Sequence, residues 1–360
     1  MKILFYINVL SGGGAERVIA NLSNQFANDN NEVVLVTTYA TPNEYYVTDK
    51  VNRINLESNI RKEENRILKN IRRIKCLRNV IKIQKPDVVI SFMEEPNFRN
   101  MISTLGLPVK KIVSVRNDPK KEYPGKMGDF IAFHLMPRAD GCIFQTQDAR
   151  EYFPTKLQKK SEIICNAVKE EFYSVKREPI EGKIVSVGRL SSQKNQHILV
   201  EAFKSISDKF PHATLDIYGT GELEKELSSQ ISASGLEEKV KLKGNSSNIS
   251  EVLSRADIFV LSSDFEGMPN ALMEAMAVGV PCVSTDCPCG GPRMLFDKEK
   301  NGILTSVGNI EQLSEALEEL LANNEKKKYL GNNAKNRANS FRPDEVYREW
   351  KTYVEKMVRS

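Results

Sequence analysis

The sequence predicts an α/β protein built from two Rossmann-like domains, each with a parallel sheet. In the first half, short apolar runs alternate with helical segments: KILFYINVL is followed by a glycine-rich turn and a helix, and then by EVVLVTTY. The second half repeats this alternation from KIVSVGRL to GILTSV. Alternation of this kind is typical of βαβ units and a parallel sheet. A chain of 360 residues is long enough for about two such domains.

A polar segment with a proline, KEEFYSVKREPIEG, separates the two halves and is typical of a linker. We therefore expect an N-terminal domain at 1–168 and a C-terminal domain at 169–342, facing each other across a cleft. Parallel sheets bind ligands at the carboxyl ends of their strands, so this cleft is the expected ligand site. The segment 343–360 predicts a terminal helix, which we expect to pack back on the first domain. Its aromatic residues recur at helical spacing, which indicates core packing: Tyr347, Trp350 and Tyr353.

Charge is unevenly distributed along the chain. Residues 1–168 carry a net charge of +8, and the remainder carries −3. A basic first half indicates an anionic partner, which can be nucleic acid, a membrane surface or a phosphorylated acceptor, although a solvated surface without a partner gives the same balance. The apolar runs are too short to span a membrane, and the first residues lack the long apolar region of a signal peptide. We therefore expect a cytoplasmic protein.

The cysteines and acidic residues do not suggest a metal site. The six cysteines lie mostly inside apolar segments, as reduced and buried thiols do in cytosolic proteins. Cys282, Cys287 and Cys289 lack a paired Cys-x-x-Cys and a nearby histidine, so they are poor candidates for zinc ligands. No Asp-x-Asp pair stands at the end of a predicted strand. The sequence therefore predicts no metal and no cofactor.

The stretch EGMPNALMEAMAVGVP predicts an anion site. It follows the apolar strand DIFVLSS, and its helix begins near Pro269 and ends at Gly279, positions that proline and glycine favour. The first turn of such a helix offers backbone N–H groups and the positive end of the helix dipole. Glu266 lies before this helix, and Glu274 lies one turn inside it on the Asn270 face. Either both carboxylates are merely solvated, or they bind hydroxyl groups on the two sides of a bound anion.

Two stretches of the second half resemble the motifs of one enzyme family. FEGMPNALMEAMAVGVPCVSTD resembles the Glu-x7-Glu motif of retaining nucleotide-sugar glycosyltransferases, specifically glycosyltransferase family 4 with the GT-B fold. VGRLSSQKN resembles the G-R-L-x(4)-K signature of the same family. The resemblance implies that Arg189 and Lys194 hold the diphosphate of the sugar donor. It also implies that Glu266 positions the sugar and that Glu274 binds the ribose.

The resemblance implies the remaining residues of the donor site as well. They are positions where the backbone can approach a phosphate or a base: Gly13, Gly14, Gly188, Gly219, Lys243, Gly244, Asn245, Gly267, Met268, Pro269, Asn270 and Ala271. At Gly219, a tight turn explains the glycine as well as a ligand contact does. The first glycine loop, LSGGGAERV, is not a dinucleotide fingerprint, because Arg17 stands where that motif needs its third glycine.

The segment SVRNDP departs from the usual family pattern, since many members carry a histidine where Arg116 stands. This version resembles a subgroup that builds bacterial surface polysaccharides. Arg116 and Asn117 are therefore candidates for acceptor binding, and a structural ion pair of Arg116 with Asp118 is the alternative. Asn166, in ICNAV, resembles the family's asparagine at the domain junction, where stabilising a turn is an equally good interpretation.

The segment 61–85 is strongly basic and has helical periodicity. Its apolar residues form one helical face: Ile67, Ile71, Ile74, Leu77 and Ile81. Its basic residues lie mostly off that face: Arg66, Lys69, Arg72, Arg73 and Lys82. The segment is either a helix that packs on its sheet with a solvated basic side, or in addition a contact with anionic lipid. Such a contact is worth about 1 kcal/mol for each basic residue near the surface.

With the family resemblance, these features predict a retaining glycosyltransferase, a hexosyl or N-acetylhexosaminyl transferase. The expected donor is a nucleotide sugar, most simply a UDP-sugar, and the expected acceptor is a glycan or a lipid-pyrophosphate-linked oligosaccharide of surface polysaccharide synthesis. We expect no nucleic-acid partner and a location in the cytoplasm, peripheral to the inner face of the cell membrane. Two alternatives share the fold. One is a sugar-nucleotide epimerase, for which the sequence shows no acid/base set, and the other is an inactive sugar-nucleotide binder, against which the intact charged motifs argue.

Overall fold

The chain folds into two compact units. The computed structural model describes three ranges of the chain: 1–57, 65–297 and 300–360. The first unit comprises 1–166 and 346–360, and the second comprises 167–345. Among the helices in these three ranges, none is long and apolar enough to cross a membrane.

The first unit contains seven strands and the helices between them. The strands are β1 (Lys2–Ile7), β2 (Glu32–Tyr39), β3 (Val51–Glu57), β4 (Val88–Phe92), β5 (Lys110–Ser114), β6 (Gly141–Phe144) and β7 (Ser161–Ile163). The helices are α1 (Gly14–Asn28), α2 (Arg66–Gln84), α3 (Glu94–Ser103), α4 (Pro119–Glu122), α5 (Gly125–Phe130), α6 (Gln147–Glu151) and α7 (Thr155–Gln158). A π-helical turn (Ile131–Leu135) and a 3₁₀ turn (Met136–Arg138) continue from α5. The strands form one sheet in the order β3-β2-β1-β4-β5-β6-β7.

The second unit contains six strands. They are β8 (Lys183–Val187), β9 (Thr214–Tyr218), β10 (Val240–Gly244), β11 (Ile258–Leu261), β12 (Cys282–Thr285) and β13 (Ile303–Thr305). The helices are α8 (Glu171–Ser174), α9 (Gln196–Ile206), α10 (Glu224–Ala233), α11 (Ile249–Ser254), α12 (Asn270–Val278), α13 (Gly291–Leu295), α14 (Ile310–Ala322) and α15 (Asn324–Ala338). A 3₁₀ turn (Asn339–Phe341) precedes the C-terminal helix α16 (Pro343–Arg359), whose residues from 346 onward belong to the first unit. The sheet order is β10-β9-β8-β11-β12-β13.

Both sheets place a crevice at one point of their carboxyl edge. All strand pairs named above are parallel, so the predicted α/β class with two parallel sheets is confirmed. In each sheet, successive strands are added first on one side and then on the other. The strand order therefore reverses between β1 and β4 in the first unit and between β8 and β11 in the second. Loops that leave two neighbouring strands at such a point go to opposite faces of the sheet and open a crevice between them. The two pairs of loops are therefore the expected ligand-binding positions.

The helices of the first unit are divided between the two faces of its sheet. Crossovers between parallel strands are right-handed, so crossovers that move toward β7 put their helices on one face and those that move toward β3 use the other. It follows that α2, α3 and α5 with its π-helical turn share a face. Within that face α2 packs on α3, and α3 packs on the π-helical turn. Helix α1 lies on the opposite face.

Aromatic residues hold α16 against the face that carries α1. Trp350 is fully buried, and its ring stacks on Phe92 with centroids 5.5 Å apart. Tyr347 packs edge-on against Phe26 of α1 at 5.0 Å. These contacts explain why the aromatic residues of α16 recur at helical spacing: they line the side of the helix that faces the sheet.

We expect the Tyr353→Phe substitution to destabilise the first unit by about 1–3 kcal/mol, because the hydroxyl of Tyr353 accepts a bond from a buried N–H group. That group is the backbone N–H of Cys142, 2.8 Å away. Trp350, the only tryptophan, lies in this unit, so its fluorescence during urea unfolding measures the loss. Tyr347→Phe is the matched control and should cost less, since Tyr347 donates to the partly exposed Asp29 at 2.8 Å. Equal losses in the two variants would contradict this assignment.

Candidate functional site

The first loop of the site follows β8 and carries Arg189 and Lys194. The backbone N–H of Lys194 donates to the carbonyl of Ser191 at 3.0 Å. The side-chain amide of Gln196, at the start of α9, donates to the carbonyl of Arg189 at 3.0 Å. These bonds fix the loop between its strand and its helix. The side chain of Arg189 is exposed, whereas that of Lys194 is only 19% exposed.

The second loop follows β11 and is bound to the first. The backbone N–H of Asp264 donates to the carbonyl of Gln193 at 2.8 Å. The hydroxyl of Ser262 donates to the carbonyl of Lys194 at 2.9 Å, and the amide of Asn195 donates to the carboxylate of Asp264 at 2.8 Å. Because β8 and β11 are neighbours at the point where the strand order reverses, the joined loops lie in the crevice of this sheet.

Lys194 and Glu266 meet where these loops join. Lys194 Nζ and Glu266 Oε1 form an ion pair, although 72 residues separate them in the sequence. The hydroxyl of Ser263 donates to the same carboxylate oxygen at 2.7 Å. The side chain of Glu266 is only 8% exposed, and a carboxylate at such a depth needs partners of this kind. Sequence reasoning assigned Lys194 and Glu266 to different parts of a donor, and the structure brings them into one charged pair.

Helix α12 projects from this pair into the second unit. Pro269 is its N-cap residue and Asn270 its first residue, and Gly279 ends it in the left-handed conformation (φ 87°), as the sequence predicts. Residues 272–278 are buried, so the helix is fixed on its sheet. Glu274 belongs to this stretch and is 7% exposed. The N–H groups of a first helical turn lack intrahelical partners and favour an anion, so the start of α12 can bind a phosphate.

A third loop, after β12, supports the turn before α12. The backbone N–H of Glu266 donates to the carbonyl of Pro288 at 3.3 Å. Gly267 and Met268 are buried, and Ala271 is half-buried at the first turn of the helix. The residues predicted around the Glu-x7-Glu motif therefore form one continuous turn and helix start beside the charged pair.

The glycines of the neighbouring loops allow close packing between them. Gly219 has φ 132°, and a Cβ there would lie 1.9 Å from the carbonyl oxygen of Gly188, so only glycine fits. The N–H of Gly219 donates to the carbonyl of Gly244 at 2.8 Å. This packing between loops is enough to explain why residue 219 is a glycine, without a ligand contact. Lys243 and Asn245 are exposed at the end of β10 and in the loop beyond it.

In the first unit, the predicted glycine loop lies at the reversal point of the sheet. Gly13 is the N-cap of α1 and Gly14 its first residue, at the carboxyl end of β1. Arg99, which sequence reasoning missed, is 1% exposed and donates to Asn8 at 2.6 Å and to Glu95 at 2.8 Å. These bonds tie the end of β1 to the start of α3 beside the glycine loop.

Arg116 lies buried beyond the end of β5. It is 7% exposed, its guanidinium lies 4.9 Å from the ring centroid of Phe92, and its Nη2 donates to Asn166. Its Nε and Nη1 have no hydrogen-bond partner within the part of the chain that the structure describes. Burial lowers the pKa of Arg116 to about 10, so it is charged at neutral pH. Asp118, its alternative partner from the sequence, instead caps α4 by accepting the N–H of Lys120 at 3.0 Å.

A buried carboxylate that the sequence did not single out supports the Arg116 loop. Glu122 Oε2 accepts the backbone N–H groups of Arg116 at 3.3 Å and Asn117 at 3.2 Å. The side chain is buried, and this burial raises the pKa of Glu122 to about 8. It stands in PKKEYPGK among other charged residues, so no sequence pattern distinguishes it from a surface glutamate.

No metal centre is formed by the residues in the three described ranges. None of their His, Cys, Asp and Glu side chains come together in a group of three or more that could hold an ion. Cys282, Cys287 and Cys289 are buried. Burial raises the pKa of Cys287 to about 12, so this thiol is protonated at neutral pH.

The buried carboxyl of Glu122 should make the stability of the first unit depend on pH. It keeps its proton up to about pH 8 when folded, whereas its ordinary pKa is 4.5, so the folded state binds an extra proton between these values. Stability should therefore fall as pH rises through this range, by up to about 1.4 kcal/mol per pH unit. Glu122→Gln keeps an oxygen for both N–H groups but cannot ionise, so the slope should flatten. Unfolding followed by Trp350 fluorescence measures it, and an unchanged slope would show that Glu122 is already ionised in the folded chain.

Comparisons with known proteins identify the family. A family model described as "glycosyl transferases group 1" matches residues 169–337, and one described as "glycosyltransferase family 4" matches residues 12–172. The GalNAc-α-(1→4)-GalNAc-α-(1→3)-diNAcBac-PP-undecaprenol α-1,4-N-acetyl-D-galactosaminyltransferase of Campylobacter jejuni is 26% identical, with 97% of each chain covered. The N-acetylgalactosamine-N,N'-diacetylbacillosaminyl-diphospho-undecaprenol 4-α-N-acetylgalactosaminyltransferase of the same organism is 28% identical, with 98% of this chain and 99% of the relative covered.

A solved structure agrees with this identification at the level of the fold. Anabaena HepE in complex with UDP-glucose superimposes with a TM-score of 0.81 at 19% identity, over 99% of this chain and 100% of that one. The structural neighbours are GT-B glycosyltransferases, so the predicted GT-B fold is confirmed. The two family models together extend over residues 12–337, and the chain belongs to the glycosyltransferases that they describe.

Proposed function

We propose that this glycosyltransferase moves a sugar from a UDP-sugar to a glycan or lipid-pyrophosphate-linked acceptor, with retention of the anomeric configuration. The observation that carries the proposal is the meeting of Lys194 and Glu266 beside the start of α12, in the crevice of the second sheet. Two relatives act, by their names, on undecaprenol-diphosphate-linked glycans with N-acetylgalactosamine, and HepE was solved with UDP-glucose. These names favour an N-acetylhexosaminyl or hexosyl donor.

The donor diphosphate binds between Arg189, Lys194 and the first turn of α12. In the transfer, the bond between the sugar C1 and the diphosphate oxygen breaks, and a bond from C1 to the acceptor hydroxyl oxygen forms as that hydroxyl passes its proton to the departing diphosphate. Negative charge grows on the leaving diphosphate, and fixed cations and helix N–H groups stabilise it most at that moment. Lys194 is suited to this role because the joined loops hold it in place before the donor arrives.

The two carboxylates bind hydroxyl groups of the donor and do not act as a general acid/base pair. Both described bonds to the side chain of Glu266, from Lys194 and Ser263, go to Oε1, so Oε2 can accept from a hydroxyl of the sugar. Glu274 lies one turn inside α12, beyond the phosphate position, and accepts from the ribose. The nucleobase lies toward the Lys243–Asn245 loop, and Gly188 and Gly219 line the approach to it.

The first unit binds the acceptor. Arg116 offers two guanidinium nitrogens that have no hydrogen-bond partner among the described residues, and it stays charged at neutral pH. A buried cation of this kind favours an anionic group, such as the pyrophosphate of a lipid-linked acceptor. Asn117 lies next to it, and the Gly13–Gly14 loop offers backbone N–H groups at the start of α1.

Segment 61–85 is the proposed contact with an anionic membrane. Residues 61–64 lie outside the described part of the chain, and the remainder lies in and around α2. The second half of α2 packs on the sheet, since Leu77 and Ile81 are buried. The first half does not: Ile67 and Ile71 are 68% and 44% exposed, although the sequence places them on the same apolar face. This exposed first half, which also carries the half-buried Lys69 and the exposed Lys75, is the part available to lipid.

Transfer is tested by incubating the enzyme with radiolabelled UDP-sugars and a lipid-pyrophosphate acceptor extract. We expect label in the lipid fraction, and we expect Arg189→Ala and Lys194→Ala each to lower kcat by about 100-fold or more, because each removes a cation from the leaving diphosphate. Lys209→Ala is the matched control, since Lys209 lies on the surface, where it pairs with Glu318 and lies near the ring of Phe210. Interconversion of the sugar without transfer would favour an epimerase, and binding of UDP without either reaction would overturn both.

The ribose assignment is tested by Glu274→Ala, which should weaken UDP binding by about tenfold or more because it removes a hydrogen-bond acceptor from a buried site. Calorimetry with UDP and with 2′,3′-dideoxy-UDP separates this role from general damage. The wild type should lose affinity for the dideoxy ligand, and the variant should bind both ligands alike. A variant that still discriminates between them would place the ribose elsewhere.

A further inference from the structure

A buried arginine holds a partly exposed carboxylate at the reversal point of the first sheet. Glu95 lies in the first turn of α3, and its side chain is 40% exposed. Its Oε2 accepts from Nη2 of Arg99 at 2.8 Å and from the side-chain amide of Asn8, the residue after β1, at 3.1 Å. Because the strand order reverses between β1 and β4, this carboxylate lies in the crevice of the first sheet.

Arg99 fixes this carboxylate in one position. An exposed ion pair between residues four apart in a helix is normally mobile, but Arg99 is 1% exposed and every nitrogen of its guanidinium donates a hydrogen bond. Nη1 donates to Asn8 at 2.6 Å, and Nε and Nη2 donate to Asn70 at 3.1 Å and 2.9 Å. Burial opposes the ionisation of Glu95, but Arg99 and Asn8 lower its pKa overall, so the carboxylate is charged at neutral pH.

The groups in this crevice favour a neutral ligand that carries hydroxyls. Arg99 balances the charge of Glu95, so the carboxylate still accepts hydrogen bonds but attracts a free cation only weakly. A phosphate is disfavoured, because a second carboxylate lies against the start of α1: a Cβ on Gly13 would lie 2.1 Å from Glu16 Oε2. Sugar hydroxyls fit such a site, since they donate to carboxylates and accept from the N–H groups of the glycine loop.

The loop that carries Arg116 lies beside this crevice. The backbone N–H of Met93 donates to the carbonyl of Ser114 at 3.2 Å, and the guanidinium of Arg116 lies 4.9 Å from the ring centroid of Phe92. Arg116 is buried, and its Nε and Nη1 have no hydrogen-bond partner among the described residues, which points to a ligand at this edge of the sheet. A position for an anion and a position for hydroxyls therefore follow two neighbouring strands, β5 and β4.

We propose that Glu95 binds a hydroxyl group of the acceptor sugar and is held in place for this by Arg99 and Asn8. This inference rests on the proposed function, because it assigns the glycan part of the acceptor whose pyrophosphate meets Arg116. Glu95 is then a specificity-determining residue, since a carboxylate in a fixed position accepts only from a hydroxyl that the sugar presents at that point. Arg99 and Asn8 are positioning residues that act through it.

The test is the binding of neutral p-nitrophenyl glycosides to the full chain, measured by ligand-observed NMR titration with a panel of hexosides and N-acetylhexosaminides. No donor is present and no transfer is needed, so a failure of the transfer reaction leaves this result intact. We expect Glu95→Gln to weaken binding of the glycoside that the wild type binds by about tenfold or more, because a neutral amide replaces a charged acceptor. Arg116→Gln should bind that glycoside as the wild type does, since the glycoside carries no phosphate.

Two further variants separate this role from a loss of structure. Glu95→Asp keeps the charge beside Arg99 but draws the carboxylate back by one methylene group, so it should fold and still lose affinity. Glu355→Gln is the matched control, because Glu355 also pairs with an arginine four residues on, the exposed Arg359, and it should bind as the wild type does. The proposal is overturned if the wild type binds none of the glycosides, if the Glu95 variants bind as the wild type does, or if Arg116→Gln loses as much affinity as they do.

Discussion

The hydrogen bonds between the loops that follow β8 and β11 are the constraint on which the candidate site depends. The backbone bond from Asp264 to Gln193 and the bond from Ser262 to Lys194 fix the spacing of the loops before any charge is considered. Only with that spacing can Lys194 reach Glu266. Removing one partner of a buried ion pair leaves an uncompensated charge, which costs about 3–5 kcal/mol. The site is thus charged and ordered before a ligand binds.

Sheet topology decides where this pair lies. The second sheet grows in one direction from β8 and in the other from β11, so the loops after these central strands diverge and leave a crevice between them. Helix α12 begins at the edge of that crevice, and its buried side chains prevent its first turn from shifting. A phosphate that binds there meets a fixed helix end and a fixed lysine. In the proposed function, the leaving diphosphate would gain from this order, because the fixed groups need not reorganise as the charge develops.

The sequence was sufficient for the fold class and for the limits of α12, because alternating apolar runs and the Pro269–Gly279 pair act locally. It could not reveal that Lys194 binds Glu266, since that contact joins loops 72 residues apart and depends on strand order. Nor could it separate the buried Glu122 from its charged neighbours, or show that Ile67 is exposed while Ile81 is buried on one helical face. Burial depends on what packs against a residue, and a helical period does not specify that partner.

The two units differ in whether a buried charged side chain has a partner of opposite charge. In the second unit, Lys194 and Glu266 neutralise each other within the protein. In the first, Arg116 keeps its charge at neutral pH, while Glu122 holds its proton up to about pH 8 and binds the backbone of the Arg116 loop without neutralising its guanidinium. A buried cation without an anionic partner destabilises the folded state, and an anion that reaches it recovers that free energy as binding affinity. In the proposed function, pairing with Arg116 would therefore contribute to the affinity of the first unit for a negatively charged acceptor.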